Sequence, residues 1–356
     1  MKWIDFVLLT PFFMILVCFV TTYFMRQSKS KDDNNHSTDQ LFSLLIPFKN
    51  EKENILQLIE FLIENQAEID EVIFINDHSD DNSFELVAEK IKAQENFILI
   101  SNDDSQKGKK AALQNGLDKA RNNFVLTWDA DISPNSEYFK SPFNYFNTDL
   151  ILFPVVMLPS KKSISSFFAY EYNLLSALNY LLSPFLILTG SGANLFFDKS
   201  KLSEEKNPYN SDIASGDDHY LLREFQESDK DVKISNQTHR SVYTKSVDSF
   251  EEYFKQRMRW LGKFKYKSSF SDILIGVFFG YWFLLSPTFL VLTLCDITHF
   301  YALLIVVFIQ YFTYLLVEYN YKNKIDDLVL PMFFTITYPL LFITLLLRLT
   351  RYKNTW

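Results

Sequence analysis

The chain contains an Asp-x-Asp pair that could bind a metal ion. Asp129 and Asp131 come directly after the apolar run Phe124–Trp128, at a point where a strand ends and the chain turns. Two carboxylates one residue apart at such a turn can face a common point, and Mg²⁺ or Mn²⁺ binds through one or two carboxylates together with phosphate oxygens. Acidic turns without a metal are also common, so this pair needs support from other motifs.

A second acidic residue, Asp77, also follows an apolar run that reads as a strand. An Asp at this position can accept hydrogen bonds from a nucleotide base or ribose. The alternative role for acidic residues here is to cap the helix predicted over Ser83–Gln94, and Asp80, Asp81 or Asn82 could fill it. Asp77 is then the residue left over for a ligand.

A short basic segment, Lys107-Gly108-Lys109-Lys110, precedes a stretch with helical periodicity. Free backbone N–H groups and positive charge converge at a helix start, and this combination suits contact with a phosphate. A solvated basic turn is the alternative, and it is the more common outcome for a short lysine run.

Two adjacent carboxylates, Asp217 and Asp218, stand at the entrance of another predicted helix. One of them could act as a general base, with its pKa raised by its neighbour and by partial burial. The alternative is that both only complement the dipole at the helix N-terminus.

The sequence Gln256-Arg257-Met258-Arg259-Trp260 lies shortly before the C-terminal apolar runs. In one interpretation, Gln256 and Arg259 hold phosphate oxygens and Trp260 forms an apolar wall against a sugar or a lipid. In the other, the segment is a basic and aromatic amphipathic helix at the membrane surface, where Arg and Trp are both favoured.

The elements that would position these residues alternate between strands and helices. Strands are predicted at Leu41–Pro47, Glu71–Asn76, Phe97–Ser101 and Phe124–Asp129, and helices at Glu51–Glu64, Ser83–Gln94 and Lys109–Arg121. This alternation predicts an α/β fold with a mostly parallel sheet. Such sheets bind ligands at the carboxyl ends of their strands, which is where the acidic residues stand.

The N-terminal residues 1–26 are predicted to form a membrane anchor. The apolar run Ile4–Phe24 has about the 20 residues needed to cross a bilayer, whereas the apolar part of a signal peptide usually has about 7–15. Arg26, Lys29 and Lys31 follow the run and favour a cytoplasmic location from residue 26 onward. An acidic, Asn-rich linker within residues 27–40 leads to the predicted domain at residues 41–267.

The C-terminal residues 268–356 contain three further apolar runs, Ile273–Leu294, Ile297–Val317 and Leu328–Leu347, each long enough to cross a membrane. Their topology is ambiguous. Three crossings from a cytoplasmic domain put the C-terminus outside, yet the basic residues after the last run favour the inside. One run could therefore be re-entrant or lie at the membrane interface.

The segment Ser163–Leu188 is dense in aromatic and aliphatic residues. It predicts either a helix that lies against the membrane and frames the entrance for an acceptor, or ordinary core packing.

The composition excludes several other classes of protein. Of the 356 residues 48% are hydrophobic, and these are concentrated at the two ends, which argues against disorder, a coiled coil and a purely soluble single domain. The net charge of −8 argues against nucleic acid as the main partner. The two cysteines, Cys18 and Cys295, are too few for a disulfide framework or a cysteine zinc site.

Taken together and in order, the motifs resemble those of the family 2 inverting glycosyltransferases. The matching segments are Leu44–Glu53, Asn76-Asp77-His78-Ser79, Lys107-Gly108-Lys109, Asp129-x-Asp131, Ser191-Gly192-Ala193-Asn194, Gly216-Asp217-Asp218 and Gln256-x-x-Arg259-Trp260. The flanking apolar runs make the chain similar to the membrane-bound branch, which includes cellulose, hyaluronan and poly-N-acetylglucosamine synthases and ceramide glucosyltransferase. This resemblance spans residues 41–262 and implies a GT-A-type fold, with a nucleotide-sugar-binding domain flanked by transmembrane helices.

The resemblance also implies a role for each motif. Asp218 would be the catalytic base and Asp131 the ligand of Mg²⁺ or Mn²⁺. The nucleotide-sugar site would contain Asp77 at the base or ribose, Lys107 at the diphosphate, Asp129, Gly192 and Asn194 around the sugar, and Gln256, Arg259 and Trp260 closing over the diphosphate. The donor would be a nucleotide sugar, most simply UDP-linked, and the acceptor a membrane lipid or a growing glycan.

The chain also departs from the family pattern. Asn76 replaces the usual first acid of the pair after the second strand, and Gly216-Asp217-Asp218 replaces the usual Thr-Glu-Asp, which leaves the choice of base between Asp217 and Asp218 open. Fewer membrane runs than in many polymer synthases weaken the case for a built-in polymer channel.

The alternative function is a catalytically silent membrane subunit of a polysaccharide assembly complex. A transporter is disfavoured because the apolar runs lack clusters of ionisable residues.

Overall fold

The computed structural model describes residues 2–10, 13, 17, 20–21, 40–103, 107–143, 148–184, 187–202, 217–266, 270–322 and 327–351. The chain divides into two compact units. The sheet unit comprises Asn34–Leu158 and Thr189–Lys245, and the helical unit comprises Met1–Asp33, Pro159–Leu188 and Ser246–Trp356. The predicted domain at residues 41–267 is therefore divided between the two units.

The sheet unit is built on a large, mostly parallel sheet. Its strands are β1 (Phe42–Phe48), β2 (Glu71–Asn76), β3 (Phe97–Ser101), β4 (Phe124–Trp128), β6 (Leu150–Leu152), β8 (Asn194–Asp198) and β9 (Val232–Ile234). In the described residues they form the order β3-β2-β1-β4-β8-β6-β9, in which β8 runs antiparallel to both of its neighbours. A smaller sheet contains β5 (Ser133–Pro134), β10 (Val242–Lys245) and β7 (Val155–Leu158), in the order β5-β10-β7.

The central strands are mostly apolar because both faces of the sheet are covered. Every residue of β1 and β2 is buried, as expected for parallel strands packed between layers of helices. Four helices belong to this unit in the described residues: α1 (Ile55–Glu64), α2 (Ser83–Ile91), α3 (Lys109–Lys119) and α5 (Asp217–Glu227). An α/β fold with a mostly parallel central sheet is thus confirmed.

Helix α1 begins at Ile55, four residues later than the sequence pattern predicts. The residues before it are held in a turn by the loop that follows β2. The backbone N–H of Glu51 donates to Ser83 Oγ at 2.9 Å, and that of Lys52 donates to Asp81 Oδ2 at 3.1 Å. Asp81 also accepts the N–H of Ser83 at the start of α2, although the N-cap position itself is Asn82, whose side chain makes no capping hydrogen bond.

Helix α3 packs unusually close to the sheet at Gly116. A Cβ atom there would lie 3.0 Å from Ile75 Cδ1 and 3.3 Å from Leu45 Cδ2, so a larger residue would push the helix away from β1 and β2. Since Lys109 and Gly108 stand at the start of this helix, its close packing fixes the height of the basic segment above the sheet edge.

The helical unit contains α4 (Ser163–Leu182), α6 (Phe250–Tyr266), α7 (Phe270–Cys295), α8 (Phe300–Lys322) and α9 (Val329–Arg351). Short 3₁₀ helices occur in both units. Those of the sheet unit are Gln66–Glu68, Lys199–Lys201 and Thr238–Arg240, and that of the helical unit is Ile297–His299. Within the described residues three helical segments are long and apolar enough to cross a membrane, Gly276–Cys295, Ile297–Tyr319 and Val329–Arg351. These are the three C-terminal runs that the sequence indicated.

The N-terminal anchor can be followed only in part. Residues 3–10 are helical, but much of Ile4–Phe24 and nearly all of the linker at residues 27–40 lie outside the described residues. The anchor therefore stays a prediction. Helix α4, within the aromatic segment at residues 163–188, packs into the apolar core of the helical unit together with α6, α7, α8 and α9.

Candidate active site

The acidic residues of the sheet unit meet at one edge of the large sheet. In the strand order, β1 lies between β2 and β4, and both of these pairs are parallel, so their carboxyl ends point the same way. Asp77 follows β2, Asp129 and Asp131 follow β4, and Glu51 follows β1 by three residues. The connections from β1 and β4 leave in opposite directions along the sheet, which is the switch point where open α/β sheets bind ligands.

A lysine is paired with the first acid of the Asp-x-Asp motif. Lys109 Nζ lies 2.5 Å from Asp129 Oδ1, and both side chains are about one-third exposed, at 37% and 33%. The ion pair joins the start of α3 to the end of β4. It also places a positive charge beside the carboxylates, where a phosphate oxygen could share it.

The carboxyl of Asp131, at this edge of the sheet, has a raised pKa. The side chain reaches solvent, yet the surrounding protein raises its pKa from 3.8 to about 6, and the nearby carboxylates of Asp129 and Glu51 add to the rise while Lys109 opposes it. Negative charge therefore exceeds positive charge at this point. Carboxylates pushed together in this way are stabilised when a cation binds between them.

The residues present fit a divalent metal ion of the kind predicted. The donors are hard carboxylate oxygens, which Mg²⁺ and Mn²⁺ prefer. Across the described ranges no group of three or more His, Cys, Asp or Glu side chains is placed to hold a metal ion. A site in which one or two carboxylates bind the ion would take its remaining ligands from substrate phosphates.

Asp77 is buried at the end of β2 and already holds the basic segment in place. Both of its carboxylate oxygens accept the backbone N–H of Gly108, at 2.9 and 3.0 Å, and Oδ1 also accepts from Asn102 Nδ2 at 3.2 Å. Only 5% of Asp77 is exposed. Its observed contacts give it a supporting role beneath the lysine segment, and contact with a nucleotide base stays a prediction.

Gly108 adopts a backbone conformation that other residues avoid. Its φ is +97° and its ψ is 160°, a region occupied essentially only by glycine. This conformation lets the N–H point at Asp77 and starts α3 immediately afterwards. Lys107, which was predicted to contact the diphosphate, is exposed just before this turn, whereas Lys109 is the lysine that reaches the Asp-x-Asp motif.

The predicted base, Asp218, lies in the first turn of α5 and is partly buried. Its backbone carbonyl oxygen lies 3.7 Å from the position of a Cβ built on Gly190, which brings the loop before β8 next to α5. One residue pair ties α5 to the basic segment, because Lys110 Nζ lies 4.5 Å above the ring of Tyr220. The starts of α3 and α5 and the Gly190–Gly192 loop are thus neighbours.

Asn194, which was predicted to line the sugar site, has its amide bonded inside the protein. It is fully buried, and its Oδ1 accepts from Trp128 Nε1 at 3.2 Å and from Tyr138 Oη at 2.6 Å. Its Nδ2 donates to the carbonyls of Pro154 and Arg240. All four hydrogen-bonding positions of the amide are used inside the protein, so this geometry favours a structural role over direct contact with a sugar.

Gly192 stands in the loop before β8, and its carbonyl accepts a hydrogen bond from Thr127 Oγ1 at 2.9 Å. Because Thr127 belongs to β4, this bond fixes the loop relative to the strand that ends at Asp129. Gly216 and the rest of residues 203–216 lie outside the described residues, as does the side chain of Asp217. The choice between Asp217 and Asp218 as the base therefore stays open in the geometry.

Gln256, Arg259 and Trp260 lie on α6 in the helical unit. Gln256 and Trp260 are half-buried, and Arg259 is exposed on the same stripe as Glu251 and Lys255. Tyr172 of α4 packs against Trp260, with ring centroids 5.8 Å apart. The closing of these residues over a diphosphate stays a prediction.

Sequence reasoning did not single out Glu51 and Lys109 for the site. A signal was present for both, because Glu51 belongs to the matched segment after β1 and Lys109 is the first residue of α3. Which lysine of the segment turns toward Asp129 depends on the conformation at Gly108, which spacing alone does not reveal.

The part of the chain that carries the Asp-x-Asp motif is similar to known glycosyltransferases. Residues 43–204 match the model of glycosyl transferase family 2. A poly-beta-1,6-N-acetyl-D-glucosamine synthase of Staphylococcus aureus is 32% identical over 138 residues, which is 37% of this chain and 33% of that protein. An undecaprenyl-phosphate 4-deoxy-4-formamido-L-arabinose transferase of Proteus mirabilis is 30% identical over 93 residues, 25% of this chain and 28% of that protein. The chain thus spans about a third of the length of the curated relatives it matches.

Among solved structures, the mannosyltransferase PcManGT of Pyrobaculum calidifontis, in complex with GDP-Man and Mn²⁺, has a similar fold. The TM-score is 0.52 at 13% identity, and the alignment covers 98% of each chain. This likeness concerns the fold, and it extends over both the sheet unit and the helices of the helical unit.

Proposed function

We propose that this protein is a membrane-bound glycosyltransferase that moves a sugar from a nucleotide sugar to a lipid or glycan acceptor at the membrane, because residues 43–204 match the model of glycosyl transferase family 2. The observation that carries the proposal is the cluster at the carboxyl edge of the sheet. There Asp129, Asp131 and Glu51 gather beside Lys109, at the switch point between β1 and β4.

The donor's diphosphate explains why these charges occur together. A diphosphate that departs from a sugar gains negative charge, and cationic groups aimed at it stabilise the transition state. A divalent metal held by Asp131 and its neighbours would supply part of that charge when it is bound. Lys109, which already contacts Asp129, supplies another part from the protein itself.

The acceptor needs only a carboxylate that takes its proton. We assign this step to Asp218, whose position next to Gly190 and near the basic segment supports the choice. The acceptor hydroxyl attacks the anomeric carbon from the face opposite the diphosphate, its proton passes to the carboxylate, and the bond from the sugar to the diphosphate breaks. This attack inverts the anomeric configuration.

The membrane-type helices support an acceptor that is held at the bilayer. Among the described residues, three helical segments have the length and composition to cross a membrane. A UDP-linked donor and a cytoplasmic sheet unit complete the proposal, because nucleotide sugars are soluble anions that reach the site from water. Polymer synthesis and single transfer to a lipid both remain compatible with this arrangement.

The test is transfer from radiolabelled UDP-sugars by the purified protein in lipid vesicles, with and without Mn²⁺. We expect a labelled product that dissolves in organic solvent or a ladder of glycans, and the form of the product distinguishes the two acceptors. Asp218→Asn should abolish transfer while nucleotide binding stays within about twofold, because general bases contribute roughly 10²–10⁴-fold to rate and little to donor binding.

Unchanged turnover of Asp218→Asn would remove the assigned base. Donor binding with no transfer to any acceptor in native membranes would instead favour the catalytically silent subunit.

A further inference from the structure

A buried carboxylate connects α4, α6 and α9 in the core of the helical unit. Glu171 on α4 is 1% exposed, and four hydrogen bonds from three side chains reach its two oxygens. Oε1 accepts from Tyr253 Oη on α6 and from Tyr338 Oη on α9, each at 2.8 Å. Oε2 accepts from Arg257 Nε at 2.9 Å and from Arg257 Nη2 at 2.6 Å.

The partner of this carboxylate, Arg257, belongs to the same five-residue segment as Gln256, Arg259 and Trp260. It is almost fully buried, with 5% of its side chain exposed, and it projects into the core next to Tyr253 rather than along the exposed stripe that carries Arg259. A buried guanidinium is expensive to desolvate unless it is paired and hydrogen-bonded, and Glu171 supplies that pairing.

The guanidinium of Arg257 also contacts the two half-buried residues of the segment. Its Nη1 donates to Gln256 Oε1 at 2.8 Å, and its Cζ lies 4.3 Å from the centroid of the Trp260 ring. Two edges of one planar group are therefore used, one for Glu171 and one for Gln256, while its face lies on the indole. A lysine cannot reproduce this geometry, because its ammonium is a point charge without a planar fork.

We propose that Arg257 is a positioning residue, which the buried carboxylate of Glu171 fixes and which in turn sets the orientation of the Gln256 amide and the Trp260 ring. This inference rests on the proposed function, because that function is what assigns Gln256 and Trp260 to the binding of the donor or the acceptor. The position of the indole, however, can be measured without any substrate.

The substrate-free measurement uses 5-fluorotryptophan and ¹⁹F NMR of the full-length protein in nanodiscs. The chain has 5 Trp residues, and the resonance of Trp260 is identified by its loss in Trp260→Phe. Arg257→Lys keeps a charge beside Glu171 but loses the stacked plane. We expect it to shift or broaden the Trp260 resonance and to leave that of Trp128, in the sheet unit, unchanged.

The matched control is Arg348→Met. Arg348 also lies over an aromatic ring of α6, with its Cζ 3.9 Å from the centroid of Phe254. We place it outside the donor and acceptor machinery, and we expect the Trp260 resonance and the transfer rate to stay within twofold of the wild type.

Kinetics provides the second measurement. Arg257→Lys should lower kcat/KM for transfer by roughly 30-fold or more, since small displacements of positioned groups can cost about 10²-fold. In the Gln256→Ala/Trp260→Ala background the same substitution should cost less than threefold, because the groups it positions are absent. A structural role alone would give the same cost in both backgrounds.

A double variant that removes both buried charges is the control for loss of folding. Glu171→Gln together with Arg257→Met removes both buried charges at similar volume, so the protein should keep a wild-type melting temperature within a few degrees while losing activity. A wild-type Trp260 resonance in both Arg257→Lys and the double variant would overturn the inference. If no substrate is transferred even by the wild type, the proposed function fails, and the NMR comparison still decides the role of Arg257.

Discussion

At the scale of single residues, the charge around Asp131 makes metal binding depend on pH. The pKa of this carboxyl is raised to about 6, first because the protein around it disfavours the charged form and then because of the negative charges of Asp129 and Glu51. A cation binds the ionised form, which predominates above this pKa and is replaced by the protonated form below it. We expect Mn²⁺ affinity, measured by EPR with UDP present, to be constant above pH 7 and to fall about tenfold per pH unit below pH 6.

The control for this pH dependence is Asp131→Asn, because UDP itself also takes up a proton near pH 6. The variant should bind Mn²⁺ more weakly at pH 7.5 and should retain only the dependence that belongs to the nucleotide. An identical fall in the wild type and in Asp131→Asn would contradict the assignment of Asp131 as a metal ligand.

The two flanking lysines of the basic segment give a second prediction at this scale. Lys109 contacts Asp129, whereas Lys107 is exposed. Lys109→Met should weaken UDP binding by about tenfold, because a hydrogen bond to a charged group is worth roughly 1.5–3 kcal/mol. The same change should strengthen the binding of Mn²⁺ alone, since it removes a cation from among the carboxylates.

Isothermal titration calorimetry with UDP and with Mn²⁺ separately would check these opposite signs. Lys107→Met is the matched control, and we expect both affinities to stay near those of the wild type. A larger loss of UDP binding in Lys107→Met than in Lys109→Met would restore Lys107 as the diphosphate contact.

Single side chains were the least predictable level. The spacing of Asp77, Asp129 and Asp131 after apolar runs placed them at strand ends, because strand ends follow directly from the apolar pattern. The inward orientation of Asn194 could not be predicted, since it depends on Trp128 and Tyr138, which are distant from it in the chain. Long-range packing of this kind leaves no local signal.

At the scale of elements, the turn at Gly108 connects the start of α3 to Asp77, which follows β2, through the hydrogen bonds of its N–H. Gly108→Ala places a Cβ in a conformation that is essentially limited to glycine, at a cost of about 1–3 kcal/mol. Space is not the obstacle, because no atom of the described residues beyond the two chain neighbours lies within 4 Å of that Cβ. We expect a lower melting temperature in detergent and weaker UDP binding, as the N–H would turn away from Asp77.

The control for this substitution is Gly280→Ala on α7. Gly280 stands in a helix, and outside that helix's own backbone a Cβ there would meet no atom of the described residues within 4 Å. Ala is the better helix former by roughly 1 kcal/mol, so the melting temperature should stay the same or rise. A Gly108→Ala protein as stable as the wild type would show that the turn is not strained.

Elements were predicted better than side chains. The strands at Glu71–Asn76 and Phe97–Ser101 have the predicted bounds, because buried parallel strands stand out as short apolar runs between polar turns. The start of α1 was placed too early, since Glu51 and Lys52 bond to the loop after β2 instead of joining the helix. The division of residues 41–267 between two units also depends on packing that periodicity does not carry.

At the scale of the whole molecule, contacts in the helical unit bear on membrane orientation. Lys2 pairs with Asp296, and Asp5 Oδ1 lies 2.6 Å from His299 Nδ1. The first residues of the chain therefore lie at the same end of the bundle as the junction between α7 and α8. Helix α7 has 26 residues and a length of about 39 Å, so this end is a full bilayer away from Phe270.

This arrangement predicts that Cys295 faces the outside if the sheet unit is cytoplasmic. Cys295 is exposed, and Cys18→Ser leaves it as the only thiol of the chain. A membrane-impermeant maleimide should label it in intact cells, and blocking with that reagent should prevent later labelling after lysis. Labelling that requires lysis would place the sheet unit outside and contradict the proposed orientation.

Helix α9 has the hydropathy of a spanning helix, but its contacts suggest that it begins and ends at the same membrane surface. Near its start, Phe333 and Phe334 pack against Phe167 of α4, with ring centroids 5.8 and 5.4 Å apart. Near its end, Arg348 lies over Phe254 of α6. Helix α6 exposes Glu251, Glu252 and Lys255, so it cannot lie in the hydrocarbon core, and Arg348 must lie at the surface beside it.

An interfacial or re-entrant α9 also places its basic end on the cytoplasmic side, which resolves the conflict between three crossings and the positive charge after the last run. Arg351→Cys in a background that carries Cys18→Ser and Cys295→Ser tests this placement. The new thiol should resist an impermeant maleimide in intact cells and react in inside-out vesicles. Labelling in intact cells would mean that α9 crosses the bilayer, and the contact between Arg348 and Phe254 would then have to break in the membrane.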